Sequence, residues 1–322
     1  LDLYATAYTA HPYRNPIIGW EADIEKFNTT DAIAFHSVHY NPTNAVCVLV
    51  GDVTIEHAKR LAEVYFERYP AGRLAPATVT AEPPHQGPRK SVRFLKGART
   101  PLVRIGFQAP SMGTSDFYAL DAMTMVLSHG HGARMTQDIV NKGRAVEAWA
   151  YNPDNRYGGM VILGGSPNEP DELKNKDISD SEKRRAYVDV CETLENILLT
   201  EVEKMKKEPV AARELERIKK LNQRDFLDRM RNNEDLAGAI ATLEVQIGWR
   251  YLNDYLENIS KVTPADIQRA AQKYIRKNNQ TSVYIIPGGK PDRPPEHYKE
   301  IRSLGGAAAA RMIMLKTLNN RS

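Results

Sequence analysis

The sequence predicts an α+β fold built from two related modules, each an antiparallel sheet with helices packed on it, the first of them incomplete. Three observations predict it. β-rich runs stand at both ends of the second half with long amphipathic helices between them, a helix, turn and strand recur in the same order, and the composition is that of a globular chain. Hydrophobic residues make up 42% and charged residues 26% of the 322, which excludes a disordered polyampholyte and a membrane bundle.

The recurrence is read from Thr29 to Tyr40 (TTDAIAFHSVHY) and Thr263 to Tyr274 (TPADIQRAAQKY), which align without a gap and place Thr29, Ile33 and Tyr40 on Thr263, Ile267 and Tyr274. Each Thr stands at a plausible N-cap, and each segment keeps apolar residues seven apart on one face. A short polar turn then leads into a β-rich run ending near glycine, Asn44 to Asp52 and Thr281 to Gly289. Between the units, Arg73 to Arg89 carries Pro76, Pro83, Pro84 and Pro88 and reads as a linker. The division is therefore 1–72 as the C-terminal part of a first module, 73–89 as linker, 90–300 as a second module and 301–322 as a tail. Far more chain precedes the second repeat helix than the first, and Leu1 is neither Met nor part of a leader pattern, so the chain is expected to begin inside the first module.

Within the second module, Ser91 to Leu95 and Leu102 to Phe107 read as strands. Asp116 to Leu127 reads as a helix because Phe117, Leu120, Met123 and Leu127 fall on one face. The Gly-rich turn Ser128 to Gly132 precedes a helical Ala133 to Asn141, and Ala145 to Tyr151 and Met160 to Leu163 read as strands meeting near Gly158 and Gly159. Ala186, Val190, Leu194, Ile197 and Val202 form the stripe of a long helix over Ser181 to Lys207, which Pro209 stops. Val210 to Asn232 and Leu236 to Ile259 continue as amphipathic helices, and Ala307 to Leu318 in the tail has the pattern of a short one.

No complete site for chemistry is visible. His36 and His39 stand three apart on one helix face, but no third ligand or carboxylate base accompanies them. His129 and His131 flank Gly130 in a turn that calls for polar residues in any case, and His11 before Pro12 and Tyr13 reads as a turn residue. Cys47 and Cys191 are the only cysteines, which excludes a disulfide scaffold, and Cys47 sits in an apolar run where burial would leave its thiol inert. Gly158-Gly159 and Gly164-Gly165 lack the lysine and spacing of a phosphate loop. Lys and Arg exceed Asp and Glu by 44 to 40, spread along the chain, and the seven basic and four acidic residues from Arg213 to Arg231 read as a solvated helix face. No nucleic-acid partner follows from that charge. The longest apolar run, Ala45 to Val50, is far below the roughly 20 residues of a membrane span, so no membrane insertion is predicted.

The residues do resemble a known family. His11 to Val53, with its His-Pro-Tyr turn, Ile18-Gly19, Tyr40-Asn41-Pro42, Asn44 and Gly51-Asp52 in order, resembles the close of the first module of pitrilysin/insulinase-family zinc metallopeptidases of the processing-peptidase-like kind. Arg99 to Asn152 is similar to the opening of that family's second module. The resemblance implies paired modules facing each other around a closed chamber, in which an inverted His-x-x-Glu-His motif and a distal Glu hold zinc. This sequence contains no such motif, so zinc is expected in the full-length parent with ligands upstream of Leu1, and no catalytic, substrate-binding or metal residue carries over. The family's substrate-holding Arg and Tyr, seven apart, fall on Val140 and Glu147; a four-residue slip would replace them by Arg144 and Tyr151.

What the resemblance implies is a part of a zinc metalloendopeptidase that encloses and hydrolyses unfolded peptides. This chain would supply chamber wall, inactive alone, and work with a second family subunit or a second copy. A periplasmic or envelope location in a Gram-negative bacterium accompanies that reading. The alternative is a non-catalytic structural or assembly subunit of the same family, like the core proteins of respiratory complexes.

Overall fold

A computed structural model describes residues 2–74, 79–174 and 177–288. Its organising element is a five-stranded sheet ordered β1-β5-β2-β4-β3. The strands are β1 (Arg89–Leu95), β2 (Leu102–Gln108), β3 (Glu147–Tyr151), β4 (Met160–Ser166) and β5 (Gln280–Pro287). Period-two alternation sends side chains to two faces. Val103, Ile105 and Phe107 of β2, Val161 and Leu163 of β4, and Tyr284 and Ile286 of β5 enter the main core, whereas Met160, Ile162 and Val283 enter a second one.

That second core is covered by α1 (Asp2–Ala7), which contributes Leu3, Ala7 and, just beyond, Tyr8. Gly106 lies beneath it, where a Cβ would meet Leu3 Cδ1 at 3.3 Å and Met160 Sδ at 2.9 Å. The first 74 residues also hold α2 (Glu21–Lys26), α3 (Thr29–His39) and α4 (Ile55–Phe66), which have no buried residue. Ile17, Ile18, Phe27, Ile33, Val64 and Leu74 are all exposed.

The main core is closed by α5 (Ser115–Ser128), α6 (Asp180–Lys207), α7 (Ala212–Arg229), α8 (Asn233–Gln246), α9 (Tyr251–Lys261) and α10 (Pro264–Tyr274). On α6, Cys191, Leu194, Leu198, Val202 and Met205 recur at three- and four-residue steps and are buried, so one stripe faces the sheet. Ser179 and Glu182 start this helix with a capping box. The N-terminus of α5 is tied to α10: Asp116 Oδ1 lies 2.6 Å from Arg269 Nη1, and Oδ2 lies 2.7 Å from Lys273 Nζ.

Several expectations change. The sheet is antiparallel except at one edge, where β1 pairs with β5 in parallel. β5 lies between β1 and β2, which run in opposite directions, so it must be parallel to one of them. Asn44 to Asp52 forms no strand: Pro42–Asn44 is a 3₁₀ turn, and the residues after it have no ladder partner among the described residues. Asn28, not Thr29, caps α3, accepting from the N–H groups of Thr30 and Asp31. Ala133 to Asn141 is helical over 134–140 as read, but after two α-helical residues the turn Thr136–Val140 is π-helical. Leu236 to Ile259 breaks into α8 and α9 around Gly248, whose φ of 106° no helix accommodates. The helices α1, α2 and α4 carry no sequence expectation, and the tail helix Ala307 to Leu318 lies outside the described residues, as does all of 301–322.

Candidate functional site

A cavity of about 530 Å³ opens between α5, α7, α8, α9 and the end of β3. That is within the range of small-ligand sites, roughly 300–1,000 Å³. Its position follows from the helix faces. On α5 the Phe117, Leu120 and Met123 stripe is spent on the core, which leaves Asp121 and Met125 turned towards α7 and α9. α7 adds Asn222 and Phe226, and α9 adds Tyr251 and Tyr255.

Tyr255 Oη donates to Asp121 Oδ2 at 2.7 Å and accepts from Asn222 Nδ2 at 3.2 Å. Burial, helped by the Asp121 charge, pushes the Tyr255 hydroxyl well above its ordinary pKa. Tyr251 stacks on Tyr118 with ring centroids 6.1 Å apart, and burial together with the Tyr118 hydroxyl pushes its own hydroxyl well above the ordinary pKa. At the rim, His129 Nε2 lies 2.9 Å from Asp225 Oδ2, and Arg224 holds the Asp225 carboxyl below the usual range. The cavity offers protonated phenols, an amide and methionine surface, an environment suited to binding an amphipathic group.

The structure distributes the sequence candidates as follows. Tyr151 ends β3, is half-exposed and lines the cavity, whereas Arg144 lies on an exposed turn outside the lining, its N–H closing onto Ile139 O at 2.9 Å. Val140 ends the π-helical turn and is half-buried; Glu147 opens β3, exposed, opposite Ser166. His36 stacks on Tyr40 and His39 on Phe35, at 5.0 and 4.2 Å. His131 is exposed. Among the described residues no group of three or more His, Cys, Asp or Glu could hold a metal ion, so the side chains described do not fit a zinc site. Cys47, expected inside a strand, is exposed, and the buried thiol is Cys191.

Two glycine pairs considered for phosphate are spacing devices instead. Gly164 and Gly165 lie inside β4, where a Cβ would fall 2.4 Å from the Trp149 ring and 2.2 Å from Glu147 O. A Cβ on Gly159 would fall 2.1 Å from Asn155 Nδ2. The cavity residues Asp121, Asn222 and Tyr255 had no motif to reveal them, because they come from three helices far apart in sequence. Their only signal is a polar residue on an otherwise apolar helix face.

No helix among the described residues is long and apolar enough to cross a membrane. Residues 26–222 match the family model described as the peptidase M16 inactive domain. Over 289 residues the chain is 28% identical to zinc protease PqqE of Helicobacter pylori, covering 88% of this chain and 61% of that protein. The crystal structure of a protease from Helicobacter pylori superposes with a TM-score of 0.78 at 27% identity, covering 89% of this chain and 65% of that one. The peptidase M16 inactive domain from Pseudomonas fluorescens shares the fold, with a TM-score of 0.70 at 18% identity over 90% of this chain and 65% of that chain. The chain thus spans less than two thirds of the length of each of these relatives. With most of its length matched, the chain belongs to the M16 peptidase family, the pitrilysin/insulinase group that its sequence resembles, and carries that family's inactive domain.

Proposed function

We propose that this chain is a metal-free part of a zinc metalloendopeptidase, forming chamber wall that holds an unfolded peptide while zinc borne by another module performs hydrolysis. The observation that carries the reading is β3, which among the described residues is an edge strand paired with β4 alone and whose last residue Tyr151 stands on the rim of the 530 Å³ cavity. An extended peptide can add to a sheet edge through its backbone while one side chain enters a neighbouring pocket. Such binding is tolerant of sequence, as an enclosing peptidase requires. The zinc-protease name of the Helicobacter pylori relative supports the parent activity.

On this reading the exposed apolar face of 17–74 is covered by the remainder of the first module, and the working enzyme pairs with a second family subunit or a second copy. The location proposed is the envelope of a Gram-negative bacterium, which cell fractionation would decide.

The test uses a fluorescein-labelled unstructured peptide and the purified chain. Binding without cleavage is expected, weakened about tenfold by Tyr151→Ala, with no tightly held zinc by metal analysis. Cleavage by the chain alone, or one zinc bound per molecule, overturns the proposal.

A further inference from the structure

Residues 79–88 hold the N-terminal segment onto the second module. Glu82 accepts from the backbone N–H groups of Thr9, Ala10 and His11 at 2.8, 2.7 and 2.9 Å and from the Thr9 hydroxyl at 2.8 Å. His85 Nε2 lies 2.7 Å from Ala7 O, a carbonyl that also accepts from Arg89 Nη1 at 2.5 Å. Through these contacts the linker fastens α1, and with it the second core, to the sheet.

Two imidazoles in this junction are buried with one nitrogen unpartnered. His85 is 7% exposed and its Nδ1 has no partner; His11 is 3% exposed and its Nε2 has none. The contacts define the tautomers. His85 donates from Nε2 to Ala7 O and so carries a bare Nδ1, while His11 Nδ1 accepts from the Tyr13 N–H at 3.1 Å.

We propose that His11, Glu82 and His85 form an acid-sensitive latch that fastens the N-terminal segment and the linker to the second module when the imidazoles are neutral and releases them when protonated. A proton on the buried His85 ring would put a charge beside Arg89 at the same carbonyl, and burial outweighs the backbone of Asn279, which favours the protonated ring. A proton on His11 Nδ1 removes the acceptor for Tyr13 N–H and opens the turn Pro12–Arg14.

The groups facing the pair come from every neighbouring element. They are Arg89 on β1, Glu82 on the linker, Tyr8 and Tyr13 on the N-terminal segment, Tyr157 before β4, Tyr274 at the end of α10, and Arg276 and the Asn279 backbone beyond it. Glu82 attracts a proton to both rings, but burial outweighs it and both imidazoles titrate below their ordinary value. Glu82 itself, satisfied by four donors, has its carboxyl held down at about 2 and stays ionised throughout. Lowered imidazole pKa values mean that the latch is complete above about pH 6.5, the unfolded value, and weakens as pH falls below it.

Hydrogen exchange of the whole chain at pH 7.5 and 5.0, corrected for intrinsic rates, tests the latch. Protection of residues 2–14 is expected to fall about tenfold or more at pH 5.0, the scale of one pKa unit, while α5 stays protected. His85→Gln keeps an amide donor for Ala7 O but cannot titrate, and should hold that protection within about threefold. Equal loss in His85→Gln combined with His11→Gln, or no loss in the wild type, overturns the proposal. So does an imidazole NMR titration of the unmodified chain that finds His85 at or above its ordinary pKa.

Discussion

Ile33 and Ile267 hold the same register in two related helices, yet Ile33 is 64% exposed and Ile267 is fully buried. The difference lies beneath the helices. α10 rests on α5 and α6 above a finished sheet, whereas the run after α3 has no strand beside it among the described residues. Ile267→Ala should therefore cost about 2–5 kcal/mol through lost burial and a cavity, while Ile33→Ala should stay within about 0.5 kcal/mol. Urea denaturation of the two variants checks this. Equal costs would mean that α3 is packed in solution.

Asp116 joins the start of α5 to Arg269, Lys273 and the Tyr274 hydroxyl of α10. Burial opposes ionisation, but these donors prevail and hold the carboxyl at about 2. Because the folded pKa is depressed, its stabilisation is complete above the unfolded value of about 3.9 and is lost as pH falls towards 2. Asp116→Asn should cost about 1–3 kcal/mol at pH 7, the lower part of that range being favoured because Arg269 and Lys273 are half-exposed. Melting curves should show the deficit at pH 7 and its shrinkage below pH 3.

Gly165→Ala places a methyl group where Glu147 O already stands. The β3–β4 pairing must part or twist, at a cost of about 1–3 kcal/mol for an overpacked position. Hydrogen exchange should show β3 losing protection before β2 and β5, which pair elsewhere. Because β3 carries Tyr151, the same variant should weaken peptide binding without touching the cavity floor.

Where periodicity was strong, the sequence was readable. The Thr263 cap of α10 and the alternation of β2 each follow from spacing alone, because each buries one face against a partner within the chain; on α6 the spacing places Ala186, Leu194 and Val202 in the core, but Cys191, Leu198 and Met205 are buried there while Val190 and Ile197 are only half-buried. Asn44 to Asp52 shows the converse: its apolar pattern is that of a core strand, but a strand forms only beside another, and among the described residues none lies beside this run. The parallel β1–β5 edge was hidden because its partners are almost two hundred residues apart, and local patterns carry no pairing direction. The cavity was hidden for the same reason. Asp121, Asn222 and Tyr255 meet only once three helices have packed.

The two thiols should separate cleanly in a labelling experiment. Burial pushes the Cys191 thiol up to about 12, so at pH 8 its thiolate fraction is roughly one in ten thousand, and the core excludes reagent as well. Cys47 is exposed. One equivalent of a disulfide reagent should react at once and the second only after unfolding in denaturant. If a neighbouring strand paired with this run in a longer form of the protein, Val46 and Leu49 would pack at the centre of a sheet, as Val283 and Ile286 do in β5, and Cys47 between them would become protected. Slowing of Cys47 by about tenfold or more in that longer protein, with Cys191 unchanged, would place 45–53 in a core strand. An unchanged Cys47 rate would show that this run stays unpaired even there, because a thiol inside a sheet cannot meet reagent without local unfolding.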